Sequence, residues 1–215
     1  MSEHYFSDTN PATATEITRK EIRIRGRSYQ IALAPKVFSA NRLDLATQVL
    51  LDFVPPPTGR ALDLGCGWGP ITLALAAELN EGEGARPQTI RDAKVLAVDV
   101  NPRALQLTEE NLHANQLPGV RVCRAEEALA ECLAEGLDFD TIWSNPPVRI
   151  GKEALHELLS RWLPLLSESG TAYLVIGNNL GAKSLLQWLQ ETGWDAQKVK
   201  SKKGFAILQV RHQQS

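Results

Sequence analysis

Two short stretches carry residue types that could act on a charged small molecule and on a nitrogen. The first is Leu62-Asp63-Leu64-Gly65-Cys66-Gly67-Trp68-Gly69-Pro70. Its glycines let the backbone approach a ligand, and a loop that opens a helix offers unpaired N–H groups. A dinucleotide fingerprint would need G-x-G-x-x-G. Here the third glycine, Gly69, comes one place early, and Pro70 holds the reserved position. The G-K-[ST] of a phosphate loop is missing too. Asp63 would repel a pyrophosphate but attract a sulfonium or ammonium group. Asp99, with Val100 beside it, ends the next expected strand, where a carboxylate can accept from both ribose hydroxyls. Asp63, Gly65, Cys66, Gly67, Gly69 and Asp99 in this register favour S-adenosylmethionine over a nicotinamide dinucleotide. A third contact is expected from Ala125-Glu126 beside the adenine, although Glu126 could equally serve the start of its helix electrostatically.

The second stretch is Ser144-Asn145-Pro146-Pro147-Val148. Two prolines stop a strand and hold the backbone extended. The Asn145 side-chain oxygen and the Pro146 carbonyl then form a rigid pair of acceptors. An exocyclic amine has its lone pair delocalised into a ring or amide; accepting both of its N–H bonds favours a pyramidal, nucleophilic nitrogen. Catalysis would rest on orientation and electrostatics, with no tuned histidine or lysine base. Asn145, Pro146 and Pro147 are the expected catalytic residues.

These stretches need a scaffold. From Arg60 onward, short apolar strands (Ala61–Leu64, Val95–Val98, Val120–Cys123, Phe139–Trp143, Thr171–Ile176) alternate with amphipathic segments. The latter predict helices over Ile71–Leu79, Pro102–Asn115, Glu126–Ala134, Lys152–Leu166 and Ala182–Glu191. Val199 and Phe205–Val210 suggest two closing strands. Such alternation predicts an α/β, Rossmann-like, mostly parallel sheet with helices on both faces, and ligands at its carboxyl edge. Ahead of it, Ile22 and Ile24, Gly26, then Tyr29, Ile31 and Leu33 read as a β-hairpin. A helix follows through Leu43–Leu50 with Asn41 as a candidate cap. Residues 1–15 read as a flexible arm, 16–58 as a hairpin and helix packed on the core, 59–215 as the catalytic domain, and 80–92 as an exposed loop.

The 215 residues carry a formal net charge of -2 and suit one α/β domain rather than two. There is no global basic field, so any nucleic-acid contact needs a local patch. Candidates are Arg19, Lys20, Arg23, Arg25 and Arg27 on the hairpin, which could instead be a solvated strand face, or Arg149, Lys152 and Lys202-Lys203. No apolar run is long enough to span a bilayer, the N-terminus lacks a signal pattern, and Cys66, Cys123 and Cys132 have no metal-ligand spacing. A cytoplasmic protein with no membrane or metal partner is expected. Trp68 is expected beneath the glycine loop and Trp143 in the core.

Together, Val37-Phe38-Ser39, Asp44, Leu62–Gly69, Asp99, Ser144–Val148 and Lys203-Gly204-Phe205 resemble the class I methyltransferases. More narrowly, the chain resembles the small-domain family typified by bacterial small-subunit ribosomal RNA guanine-N2 methyltransferases. The resemblance implies a seven-stranded sheet with its last strand antiparallel, S-adenosylmethionine as cofactor, and methyl transfer to a guanine whose amine Asn145 and Pro146 hold. It also implies ribosomal RNA or the small ribosomal subunit as partner. The residue after the prolines is often aromatic or a larger aliphatic in such enzymes and packs on the target ring. Val148 is smaller, and Phe38 is the candidate to supply that face. Methylation of adenine N6 or of a protein glutamine poses the same hydrogen-bonding problem. A non-catalytic RNA-binding or assembly module is the reading of another class; keeping Asp63, Gly65, Gly67, Asp99 and Asn145 together speaks against it.

Overall fold

The computed structural model describes residues 10–79 and 87–213. β1 (Thr18–Ile24) and β2 (Arg27–Leu33) form the hairpin, closed by Arg25-Gly26 with φ of 48° and 83°. Positive φ at both central residues is the type I′ turn whose twist matches that of the strands. α1 (Leu45–Leu51) follows. Then come β3 (Ala61–Leu64), α2 (Pro70–Leu79), β4 (Val95–Asp99), α3 (Pro102–Ala114), β5 (Val120–Arg124), α4 (Ala125–Glu135) and β6 (Phe139–Ser144). α5 (Lys152–Trp162), β7 (Leu166–Gly177), α6 (Ala182–Glu191), β8 (Trp194–Lys202) and β9 (Phe205–His212) complete the chain.

The seven strands β3 to β9 stand in the order β5-β4-β3-β6-β7-β9-β8. β9, last in sequence, runs antiparallel to both neighbours, and the other pairs are parallel. Alternating side chains feed two cores. Ala61, Trp143, Tyr173, Val175 and Ile207 pack with α1, α2, α3 and the hairpin. Leu62, Leu64, Ile142, Leu174, Ile176 and Leu208 pack with α4, α5 and α6. Burying both faces explains why the strands read as apolar runs rather than as alternation.

The hairpin docks through polar side chains as well as apolar ones. Asn111 accepts the Ala32 N–H and donates to the Ala32 carbonyl, while Asn115, one turn later on α3, does the same for Gln30. Arg25 forks onto Glu78 and reaches the carbonyls of Leu51 and Val54, and Arg27 donates to the Ala77 carbonyl at 2.9 Å. Arg25 thus closes the carboxyl end of α1 and Arg27 that of α2, where carbonyls have no intrahelical partner.

Two expectations change, and two fall partly outside the described residues. The cap of α1 is Asp44, whose Oδ2 accepts from Ala46 and Thr47, and not Asn41. The helix expected over Lys152–Leu166 ends at Trp162. Pro164 cannot donate to a continuing helix, so a 3-10 turn intervenes and Leu166 already begins β7. The arm expected over residues 1–15 lies outside the described residues for 1–9. From Asn10 onward it is held: Ala12 is buried and exchanges hydrogen bonds with Gln106, and the Asn10 carbonyl accepts from Arg103. Of the loop expected over 80–92, residues 80–86 lie outside the described residues.

Candidate active site

The glycine loop leaves β3 at the carboxyl edge of the sheet. Gly65, Gly67 and Gly69 have φ of 85°, 58° and 92°, which side-chain-bearing residues rarely adopt. A Cβ at Gly65 or Gly67 would meet nothing within 4 Å, whereas one at Gly69 would lie 3.0 Å from Thr108 Oγ1. The first two glycines therefore keep space open for a ligand, and the third lets α3 approach. Thr108 donates to the Gly67 carbonyl at 2.9 Å, and Asn111 donates to the Trp68 carbonyl at 2.8 Å. Trp68 is buried beneath the loop and Trp143 in the core, both as the sequence predicts.

Two carboxylates frame the loop. Asp63 is fully buried, and its Oδ2 accepts from Thr72 Oγ1 at 2.5 Å. Its Oδ1 has no partner, and burial pushes the carboxyl up to about 7. Asp99 is half-buried; its Oδ2 accepts the Gly67 N–H and its Oδ1 the Asn101 N–H, both at 2.9 Å. Burial raises its pKa against these hydrogen bonds. Val100 beside it is exposed. Cys66 is buried in the loop, and burial, with Asp99 and Asp63 nearby, drives its thiol well up and keeps it neutral.

Ala125 and Glu126, the pair expected beside the adenine, open α4, and Glu126 pairs with Arg161. Its carboxylate takes both Arg161 guanidinium nitrogens at 2.8 and 2.6 Å and points to solvent. That fork holds its pKa down.

Asn145 stands at the end of β6 beside the glycine loop, where Ser144 Oγ donates to the Leu64 carbonyl at 2.6 Å. Its amide nitrogen donates to Asp44 Oδ2 at 3.1 Å and to Thr47 Oγ1 at 3.0 Å. Asp44 is an acceptor only, so the amide nitrogen must face α1 and the amide oxygen is left for a ligand. Pro147, with φ -75° and ψ 71°, forms an inverse γ-turn in which the Pro146 carbonyl accepts the Val148 N–H at 2.8 Å. One lone pair of that carbonyl is thus engaged and the other remains for a ligand amine. Val148 is partly buried against the α4–α6 core, while Phe38 is 54% exposed.

Phe38, Asp44, Thr47, Gly65, Cys66, Gly67, Trp68 and Asn145 line one cavity of about 20 Å³. A larger hollow of about 770 Å³, between the arm, the hairpin and α3, carries none of the motif residues. The sequence reading missed Thr47, Thr72, Thr108 and Asn111, and it quoted Asp44 only for resemblance. The available signal was an Asp directly ahead of an apolar helical run, which marks a cap. Among the described residues no group of His, Cys, Asp and Glu could hold a metal, and no helix is long and apolar enough to cross a membrane.

The Rossmann-like sheet, the glycine loop after β3 and the acids ending β3 and β4 define the S-adenosylmethionine-dependent methyltransferases. Within them the chain belongs to the methyltransferase small domain family, whose model matches residues 28–209. A Bacillus subtilis relative, the uncharacterized protein YbxB, is 30% identical over 98% of this chain and 99% of its own length. The ribosomal RNA small subunit methyltransferase C of Shewanella loihica is 34% identical over 66% of this chain and 38% of its own. Among solved structures, the Thermus thermophilus 16S rRNA N2 G1207 methyltransferase, in complex with AdoMet and guanosine, superposes with a TM-score of 0.72. It is 25% identical over 94% of this chain and 52% of that one. The chain thus spans about half, or less, of the ribosomal RNA methyltransferases it matches.

Proposed function

We propose that this chain transfers a methyl group from S-adenosylmethionine to an exocyclic amino group, with guanine N2 of small-subunit ribosomal RNA as the acceptor. One observation carries the reading: both donors of the Asn145 amide are spent on Asp44 and Thr47, so its oxygen is presented as an acceptor. Such an oxygen suits an N–H bond of an sp² amine. The free lone pair of the Pro146 carbonyl suits the second.

The residues fit the cofactor. The unpartnered, buried Asp63 Oδ1 suits an ammonium donor, Asp99 suits the ribose hydroxyls, and the open space above Gly65 and Gly67 suits close backbone contact. When bound, S-adenosylmethionine supplies an electrophilic methyl group on a positive sulfur. The chain's own part is to hold the acceptor amine in line and draw its two N–H bonds onto fixed oxygens, which frees the nitrogen lone pair. Phe38 offers an exposed aromatic face for the target ring. Guanosine bound to the Thermus neighbour supports the choice of base.

The test supplies labelled S-adenosylmethionine with small ribosomal subunits, naked ribosomal RNA, transfer RNA and release factor in parallel, followed by nucleoside and peptide analysis. N2-methylguanosine in ribosomal RNA is expected. Label on adenine N6 or on glutamine would move the acceptor. Absence of cofactor binding by calorimetry would leave only a non-catalytic module. Asn145→Ala is expected to abolish transfer with cofactor binding near normal.

A further inference from the structure

The carboxyl edge of the sheet is divided by charge, with Asn145 on β6 at the seam. On the β3-β4-β5 side stand Asp63 and Asp99, which suit a cationic cofactor, while Glu126 and Glu127 beyond them are paired with Arg161 and Arg124. On the other side, Arg149 lies in the 3-10 turn after β6, Lys152 opens α5, Lys183 is in the first turn of α6 after β7, and Lys203 tips the β8–β9 turn. All four are exposed, and none forms an ion pair with a carboxylate among the described residues. The acids at this end are Asp44, engaged by Asn145 and the cap of α1, Asp52, 3.5 Å from Lys202, and Glu153.

The topology brings these cations to one end. β9 pairs antiparallel with β7 so that Phe205 faces Gly177, which carries the β8–β9 turn to the carboxyl end of β7. The Asn178 N–H then donates to the Gly204 carbonyl at 2.8 Å, and the Asn178 side chain to Ser201. Strands lie about 4.8 Å apart, so the three steps from β6 to β8 span about 14 Å, a few nucleotides of an extended strand. Ile150 and Leu180, exposed by 37% and 57%, lie after β6 and β7 between the cations. Cations interleaved with apolar side chains suit a single strand, which shows phosphates and base faces together. A duplex would hide its base faces.

The hairpin offers no comparable surface. Arg25 is spent on Glu78 and the end of α1, Arg27 on α2, Arg23 donates to the Gly26 carbonyl, Arg19 lies 3.4 Å from Glu110, and Lys20 donates to the Asn41 carbonyl.

Building on the RNA acceptor proposed above, we infer that a single-stranded RNA segment crosses the β6-β7-β9-β8 half of this edge. Its phosphates lie on Arg149, Lys152, Lys183 and Lys203, and Ile150 and Leu180 pack against its bases. The target base turns inward at Asn145.

The experiment measures affinity of the full chain for a short unstructured guanosine-containing RNA by fluorescence anisotropy across a potassium chloride series. Removing a phosphate contact to a single strand lowers the slope of log K against log salt by about 0.7. Arg149→Gln, Lys152→Gln, Lys183→Gln and Lys203→Gln combined should therefore lower it by about 3 and weaken binding at least tenfold. Lys94→Gln with Arg121→Gln, at the amino edge of the sheet, should change neither, and calorimetric cofactor affinity should hold in both.

Parent affinity and slope in the fourfold variant, equal loss in the amino-edge control, or no RNA binding by the parent would overturn the inference. So would a preference of the parent for duplex RNA over the single strand. Methyl transfer to RNA with an unchanged slope in the fourfold variant would remove this track alone. Salt-sensitive binding through these residues with no transfer to any RNA would remove the proposed acceptor alone.

Discussion

The side-chain amide of Asn145 is turned by Asp44, whose Oδ2 accepts from it at 3.1 Å while also capping the first turn of α1. The helix cap and the orientation of the proposed amine acceptor thus depend on one oxygen atom, and the start of α1 sets the direction in which the Asn145 carbonyl looks. Thr47, one turn into the same helix, takes the second amide proton.

Separating cap from orientation is therefore a direct test. Thr47→Val keeps shape and leaves the cap intact; kcat should fall by about tenfold, the value of one hydrogen bond of about 1.5 kcal/mol, with cofactor affinity unchanged. Asp44→Ala should lower kcat further and also destabilise the protein by about 1 kcal/mol through the lost cap. Asp44→Asn, which retains an acceptor oxygen, should recover much of both. Steady-state kinetics beside thermal denaturation decides; parent kcat in Thr47→Val and Asp44→Ala would end the orienting role.

Asp63 makes both stability and cofactor affinity depend on pH. Its carboxyl is pushed up to about 7, chiefly by burial, against the opposing hydrogen bonds from Thr72. An acid with a raised folded pKa contributes stability that is full below its unfolded pKa and is lost as pH rises through the folded one. Asp63→Asn should match the parent near pH 4 and exceed it at pH 8, by a few kcal/mol at most at about 1.4 kcal/mol per pK unit. Ionised Asp63 is the form that attracts a cation, so the parent's affinity for S-adenosylmethionine should rise between pH 6 and 8. The variant's should be weaker and flatter. Calorimetry at several pH values checks this, and parallel pH profiles would refute it.

The three glycines should fail in different ways. Gly69→Ala places a methyl 3.0 Å from Thr108 Oγ1 at a φ of 92°, so it should lose stability through packing as well as backbone strain. Gly65→Ala and Gly67→Ala meet open space. They should carry a backbone cost of about 1–2 kcal/mol and lose cofactor binding out of proportion to it. Urea denaturation paired with calorimetry distinguishes the two patterns.

Arg25→Ala should act on the fold and leave RNA affinity alone. It strips the partner from Glu78 and from the Leu51 and Val54 carbonyls in a half-buried setting, so a loss of about 3 kcal/mol is expected. Anisotropy measured below the unfolding transition should match the parent. A drop in RNA affinity there would restore the hairpin as a nucleic-acid grip.

What the sequence made legible follows from how local each signal is. Ala61–Leu64 and Val95–Asp99 are short apolar runs bounded by loops, and the structure places them as parallel neighbours in the sheet. Asp63, the glycines, Asp99 and Asn145 lie close to strand ends, where topology alone brings them together. The end of α5 was misjudged because Leu163, Leu165 and Leu166 keep helical spacing past Pro164. Asn41 and Asp44 are both good caps, and the second is also bonded by the Asn145 side chain, 101 residues away. Arg25 looked solvated because its acceptors lie 26 to 53 residues along the chain. Glu126 was read toward a ligand, but its partner Arg161 sits on a helix two elements later.

Asn111 on α3 and Asn115 at its carboxyl cap hold the hairpin by its backbone. Their amides stand one helical turn apart and supply donor and acceptor to alternate residues of β2, in the manner of a neighbouring strand. The free edge of β2 is thereby closed to strand addition by another molecule, a common beginning of aggregation. Because Asn111 also holds the carbonyl of Trp68, loosening the hairpin would slacken the glycine loop as well. The N-terminal ribbon is in this sense the buttress of the glycine loop.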